Sequence, residues 1–320
     1  MDTVRLGTSD LVVPRLCLGT MYFGTSVLEA EAHGLLDLAL DRGATFLDTA
    51  NNYAFWVDGG TGDESELTIG RWLSARGPGV RDRLTLATKI GARPRPGTAS
   101  LDGAMGLSAS AVREQAEDSL CRLGVDHVDL LYAHIDDRTT PLAETVQALG
   151  ELVEAGLTRA IGGSNLSPAR LRDAVEASGD GPGRYVALQQ RATYLRPAPG
   201  ADFTPHVHLD DDMELTAAQL GVTVLGYSPL AGGSYTRTDR PLPDGYIHDR
   251  TGAQLAALED AATQLNLDRG QVVFAWLMAK QPPVLPVAGF STRAQLDQAI
   301  DAAEASLDAR TLAALDAARG

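Results

Sequence analysis

A chain of 320 residues, 44% of them hydrophobic, has the apolar material for one large barrel or for two average domains, and length alone does not choose between them. Its formal net charge of -15 opposes nonspecific attraction to nucleic acid or anionic membrane, because gripping phosphate backbones needs clustered Lys and Arg. Its apolar runs fall short of the roughly 18 residues needed to cross a bilayer. Met1–Arg5 leads into no hydrophobic signal segment, and Cys17 and Cys121 lie far apart outside any CxxC spacing; together these predict a cytoplasmic protein with reduced thiols.

In chain order, Arg5 to Pro14 carries Gly7 and Ser9-Asp10 between Leu6 and Val12-Val13, a pattern that predicts a small β-hairpin plugging one end of the fold. Short apolar runs then recur at Arg15 to Leu18, Thr45 to Asp48, Thr85 to Lys89, Val128 to Tyr132, Ala160 to Gly163, Val186 to Gln190, Thr223 to Gly226 and Val284 to Val287. Between them the spacing is helical, as at Val112, Ala116, Leu120 and Leu123, and the alternation is that of a parallel α/β fold. Ser167-Pro168 reads as an N-cap followed by proline at the first helical position. The long interval from Thr223 to Val284 holds Ala231-Gly232-Gly233-Ser234, which predicts a mobile loop, and then appended helices near Thr251 to Leu265 and Gln271 to Lys280. The Ala-rich end from Ala302 to Gly320 predicts a terminal helix packed outside. No linker or composition shift divides the chain, so residues 1–320 are expected to form a single domain. A doubly wound sheet would carry a glycine fingerprint, but Gly60-Thr61-Gly62 is followed by Ser65 where the third glycine belongs.

Three successive strand ends deliver ionisable groups. Phe46-Leu47 runs into Asp48, with Tyr53 five residues later; Leu84 to Thr88 ends in Lys89; Val128 to Ala133 ends in His134. Singly, Asp48 reads as a capping acid, Lys89 as a solvated strand end, Tyr53 as a rim aromatic and His134 as a core histidine. Their order and common placement favour an acid–base cluster at one end of a barrel. Here the chain closely resembles the aldo-keto reductase family, whose members present Asp, Tyr, Lys and His in this order from the strand ends of a (β/α)8 TIM barrel. Ser65 to Gly70 is similar to the family's SExxxG segment, Asp126 to His134 to its DxxDLxxxH strand, and Gly156 to Asn165 to its GxxRxIGxSN run.

The resemblance implies a (β/α)8 TIM barrel with an N-terminal β-hairpin and appended helices, and a reductase of a small-molecule aldehyde or ketone. A hydride arriving at a carbonyl carbon leaves an alkoxide, so a proton donor and a positive field are needed at the oxygen. On this reading Tyr53 is the donor, and Lys89 eases its proton release, a free phenol with a pKa of about 10 being too weak an acid alone. Asp48 holds Lys89 charged, and His134 orients the carbonyl. Ser164, Asn165 and Gln189 match residues that hold the nicotinamide carboxamide. Tyr227, with Ser228 and Leu230 after it, matches the segment whose tyrosine stacks on the nicotinamide ring.

Ser291, Thr292, Arg293 and Gln295 form the expected 2′-phosphate site, with Thr292 to Gln295 spaced as a capping box whose helix presents free amides; the cofactor expected is therefore NADPH rather than NADH. The arginine common in relatives is replaced by Gln295. Tyr22, Phe23, Phe55 and Trp56 are expected to line the substrate pocket, with Arg191-Ala192 altering its wall. Two rival readings remain at this point. His206-Val207-His208 has the look of a zinc hydrolase pair, but it sits in a Pro-rich segment, which favours a plain loop. A regulatory cofactor sensor of the same fold would carry the same four residues with little turnover.

Overall fold

The computed structural model describes residues 1–95, 98 and 100–320. Strands β1 (Thr3–Arg5) and β2 (Val12–Pro14) pair antiparallel as a hairpin. Gly7, in its turn, has φ 51°, and a Cβ there would fall 2.4 Å from the Val186 carbonyl oxygen; only glycine permits so close an approach. The Gly7 amide donates to Thr223 Oγ1 at 2.8 Å, which seats the hairpin on the amino-terminal end of the barrel.

From there strands and helices alternate: β3 (Cys17–Gly19), α1 (Glu29–Asp41), β4 (Phe46–Asp48), α2 (Glu64–Arg76), the short α3 (Pro78–Arg81), β5 (Thr85–Ile90), α4 (Ala109–Leu123), β6 (Val128–Ala133), α5 (Leu142–Glu154) and β7 (Thr158–Ser164). The chain continues through α6 (Pro168–Ser178), β8 (Tyr185–Arg191), α7 (Asp211–Leu220), β9 (Thr223–Tyr227), α8 (Thr251–Leu265), α9 (Arg269–Ala279), β10 (Val284–Gly289), α10 (Arg293–Glu304) and α11 (Ala309–Arg319). Strands β3 to β10 close into a parallel barrel in sequence order, with β10 beside β3. All eight predicted runs are barrel strands, and Ser167 caps α6 by accepting from the Arg170 amide.

The strands alternate with period two between two buried layers. Leu47, Leu86, Leu131, Ile161, Leu188 and Val224 point outward to the helices. Phe46, Ala87, Leu130, Ala160, Ala187 and Leu225 point inward, where the hairpin's Leu6, Leu11 and Val13 join them. Each fully buried Leu or Phe contributes about 1.5–3 kcal/mol by removal from water, so each strand's register is fixed on both faces. The same parity turns Asp48, Lys89 and Gln189 inward at the carboxyl end, one step above the apolar filling.

Helix α2 clamps this end from behind. Ser65 Oγ donates to the Thr20 carbonyl at 2.9 Å and shares hydrogen bonds with the Thr20 and Thr49 hydroxyls. Glu66, fully buried, accepts from Thr88 Oγ1 and, at 2.7 Å, from Arg122 Nε. Gly70 lets α2 close on α4, since a Cβ there would lie 2.3 Å from the Arg122 carbonyl oxygen. The SExxxG pattern is therefore a clamp joining β4, β5 and α4.

The segment after β9, expected to be a mobile loop, is pinned at two buried tyrosines. Tyr235 Oη bonds Thr193 Oγ1 at 2.7 Å and accepts from the Leu195 amide; Tyr246 closes a short 3-10 turn at Asp244–Tyr246. Helix α11 packs on α8, locked by Arg319, whose Nε donates to the Tyr194 carbonyl and whose guanidinium lies 5.0 Å from the Trp276 ring centroid. Among the described residues no helix is long and apolar enough to cross a membrane.

Candidate active site

Asp48, Tyr53 and Lys89 meet in one hydrogen-bonded cluster. Lys89 Nζ donates to Asp48 Oδ2 at 2.5 Å, to Tyr53 Oη at 2.5 Å and to the Thr49 carbonyl at 2.9 Å. Tyr53 Oη in turn donates to Asp48 Oδ2 at 3.1 Å. Asp48 and Lys89 are buried, whereas Tyr53 is half-buried at the mouth. The His134 ring stands edge-on to Tyr53, with centroids 6.1 Å apart, and its Nδ1 is buried with no hydrogen-bond partner among the described residues. The structure thus brings together the four residues drawn from three strand ends.

Burial pushes the Tyr53 phenol well above the usual tyrosine range, and the Asp48 carboxylate adds to the effect. Lys89 was expected to make the phenol more acidic; in the resting site burial and Asp48 outweigh it, and the hydroxyl keeps its proton. Burial also lowers Lys89, against which Asp48 pulls upward. His134 is driven well below the ordinary histidine value by burial, then by Lys89 and His206. It is therefore a neutral imidazole, able to donate one N–H.

The expected cofactor residues line the same mouth. Asn165 is a hub: its Nδ2 donates to the His134 carbonyl and Ser164 Oγ, and its Oδ1 accepts from Tyr227 Oη at 2.7 Å and from the Val207 amide. Gln189 Nε2 donates to Asp48 Oδ1 at 2.9 Å, so its amide is engaged with the acid rather than standing free for a carboxamide. Among the described residues, the non-glycine positions with positive φ are Ala54, Asn165, Ser228, Ala231 and Asn266; all but the last lie at this mouth. Such left-handed backbone persists where surrounding structure enforces it and gathers at ligand sites. Half-buried Tyr227 stands beside this backbone. Leu230 is half-buried and packs against the core.

Helix α10 begins at Arg293, with Thr292 Oγ1 accepting from the Gln295 amide. The full capping box expected from the spacing is not formed. Gln295 Oε1 reaches one residue further back, to the Ser291 amide at 2.8 Å and the Ser291 hydroxyl at 3.0 Å. Arg293 is exposed, with Asp297 3.5 Å from its Nε. Ser291, Thr292 and Arg293 border an open depression of about 370 Å³ that Glu31 also lines.

The expected pocket aromatics divide. Tyr22 and Trp56 are exposed, and Phe55 packs edge-on to Trp56 at 5.1 Å. Phe23 is a correction: it is 1% exposed and turned into the core against Phe290, centroids 5.5 Å apart, because the Thr20–Val27 turn buries one of its two adjacent aromatics and exposes the other. Arg191 lies at the mouth beside Tyr227. His206 packs against Tyr227 and His208 between Phe203 and Tyr246. Sequence reasoning missed Tyr132, fully buried with its ring 5.9 Å from Lys89 Nζ. The signal was present, since Tyr132 shares the inward parity of Leu130 and His134. It also missed the Phe203–Tyr246 pair around Arg191, for which no local pattern exists.

A family model described as the aldo/keto reductase family matches residues 15–319. The chain is 32% identical over 330 residues to the uncharacterized oxidoreductase YrpG of Bacillus subtilis, covering 99% of this chain and 95% of that protein. It is 31% identical over 322 residues to the 6-dehydroglucose reductase of Novosphingobium aromaticivorans, covering 99% and 95% respectively. Among solved structures it is similar to the thermostable aldo-keto reductase Tm1743 in complex with the inhibitor epalrestat. That match has a TM-score of 0.76 at 25% identity, covering 99% of this chain and 100% of the other.

Proposed function

Because the chain belongs to the aldo/keto reductase family, and so is an oxidoreductase acting on carbonyl groups with a nicotinamide cofactor, we propose that it reduces an aldehyde or ketone with NADPH and with Tyr53 as proton donor. The observation that carries this reading is the contact of Tyr53 Oη with both Lys89 Nζ and Asp48 Oδ2. A bound nicotinamide supplies the hydride. The Tyr53 hydroxyl rotates from Asp48 to the carbonyl oxygen and gives up its proton as that oxygen becomes an alkoxide. Lys89 stays within reach of the phenolic oxygen and stabilises the phenolate that remains. Asp48 keeps Lys89 charged and in place, with the Thr49 carbonyl as its second anchor.

Neutral His134 donates its N–H to the same carbonyl oxygen, fixing the substrate without placing a second positive charge beside Lys89. Ser164 and Asn165 are the proposed holders of the carboxamide, joined by Gln189 once its amide turns away from Asp48; Tyr227 is assigned to the ring, and Ser228 and Leu230 to the segment beyond it. Ser291, Thr292, Arg293 and Gln295 are assigned to the 2′-phosphate. Tyr22, Phe55 and Trp56 border the substrate. Residues 1–320 act as one barrel domain, and the reading places the protein in the cytoplasm, where its free Cys17 and Cys121 stay reduced.

The test is NADPH consumption across a panel of a keto-sugar, an aromatic aldehyde and a polyketide-type ketone, in wild type and Tyr53→Phe. The expected loss in kcat is at least about 100-fold, the scale of general acid catalysis, with NADPH Kd unchanged because the ring is kept. Full turnover by Tyr53→Phe would remove Tyr53 from its role. Tight NADPH binding with no turnover of any panel member by wild type would favour a sensor.

A further inference from the structure

Arg191 ends β8, the strand that also supplies Gln189, and is paired in register with Tyr227 of β9. Residues two apart on a strand share a face. Gln189 reaches Asp48 in the barrel interior, so Arg191 and Tyr227 stand side by side one step nearer the opening. The Arg191 side chain is half-buried and held in two ways: its Nε donates to Tyr246 Oη at 3.0 Å, and its guanidinium carbon lies 5.1 Å from the Phe203 ring centroid. Among the described residues no carboxylate lies within 4.0 Å of it, and neither Nη group has a hydrogen-bond partner.

That arrangement is unusual for this chain. Where Arg side chains elsewhere are held, they mostly meet Asp or Glu, as Arg122 meets Glu66 and Arg170 meets Asp136. With a net charge of -15, carboxylates are abundant, yet this guanidinium is oriented by a phenol and a ring instead. The neighbouring ring, His206, 5.8 Å from Tyr227, carries no negative charge either. A fixed guanidinium with both Nη groups free is built for bidentate recognition of a carboxylate or phosphate.

We propose that Arg191 is a specificity-determining residue that binds an anionic substituent, carboxylate or phosphate, on the carbonyl substrate. The inference rests on the carbonyl-reductase reading of the same site. The shared chemistry has a second source, the diphosphate of the dinucleotide, and the experiment separates the two.

The experiment measures binding of 4-carboxybenzaldehyde and benzaldehyde by calorimetry to protein saturated with NADP+, which cannot reduce them. Wild type, Arg191→Met and Arg191→Lys are compared; Met keeps an apolar stem against Phe203. The expected result is a preference for the carboxylated aldehyde in wild type, falling about 10- to 100-fold in Arg191→Met, the scale of a charge-assisted pair, with partial recovery in Arg191→Lys. NADP+ titrated alone should bind all three within about twofold. Weakened NADP+ binding with an unchanged aldehyde preference would assign the anion to the dinucleotide and overturn the substrate assignment. An unchanged preference with unchanged NADP+ binding would leave Arg191 as a strut between two loops and overturn the proposal. Because the readout is binding, absence of turnover by wild type would sink the reductase reading while leaving this preference measurable.

Discussion

Gln189 Nε2 donates to Asp48 Oδ1 at 2.9 Å, joining two strand ends 141 residues apart. Lys89 holds the other oxygen of the same carboxylate, so both acceptors of a fully buried acid are satisfied from opposite sides of the barrel. The cluster proposed to be catalytic is therefore also a structural element, and mutations in it are expected to act on stability as well as on chemistry.

Lys89→Met should abolish reduction and destabilise the fold by about 3–5 kcal/mol, because it leaves Asp48 as an uncompensated buried charge. The double variant Asp48→Asn with Lys89→Met should recover most of that stability while staying inactive. Urea unfolding at pH 7 compares the three proteins. Equal destabilisation of the single and double variants would assign the loss to packing instead of charge.

Arg293→Ala should lower kcat/KM for NADPH by about three- to tenfold, the range of an exposed charge-assisted bond to phosphate, and leave NADH unaffected. Arg293 is only loosely engaged in the resting protein, at 3.5 Å from Asp297. Asp297 is itself held by Arg42 at 2.7 Å, which leaves Arg293 free to turn to a phosphate. Glu31 in the same depression opposes the effect and sets its modest size. An equal or higher efficiency with NADH in wild type would sink the assignment.

His208 gives stability a pH dependence of defined sign. Burial lowers it to about 4, helped by Arg319 and Arg191 and opposed by its contact with the Leu209 carbonyl and by Asp210. The unfolded chain takes up this proton near pH 6.5 and the folded one does not, so the unfolded state binds more protons in between. Stability should fall as pH drops from about 6.5 and this contribution should level off near about 4. His208→Gln should make that limb shallower in urea titrations taken across the window, the remainder being carried by His134 and His206, which burial also lowers. A variant curve parallel to wild type would show that another group carries it.

Gly70→Ala tests the clamp behind the site. Its Cβ would sit 2.3 Å from a backbone oxygen of Arg122, which cannot move without shifting the end of α4. The expected cost is about 1–3 kcal/mol, read as a lower thermal midpoint, with residual activity once folded. A midpoint equal to wild type would show that α2 and α4 separate at no cost.

What the sequence determined by itself were the features carried by local spacing. Period-two runs placed eight strands, helical spacing placed the segments between them, and strand ends displayed Asp48, Lys89 and His134 in order. What only the tertiary structure decided were partners. Nothing near Gln189 indicates that its amide meets Asp48, nothing in Tyr22-Phe23 tells which ring is turned into the core, and the Thr292 to Gln295 spacing was right for a cap but wrong for where Gln295 reaches. Nothing around Arg191 in the sequence indicates that Phe203 and Tyr246 hold its side chain. The physical reason is that a strand's face and a helix's stripe are set by backbone geometry within a few residues. Contacts between residues 41 or 141 positions apart, as in Lys89–Asp48 and Gln189–Asp48, exist only once the barrel has closed and brought its strand ends to one mouth.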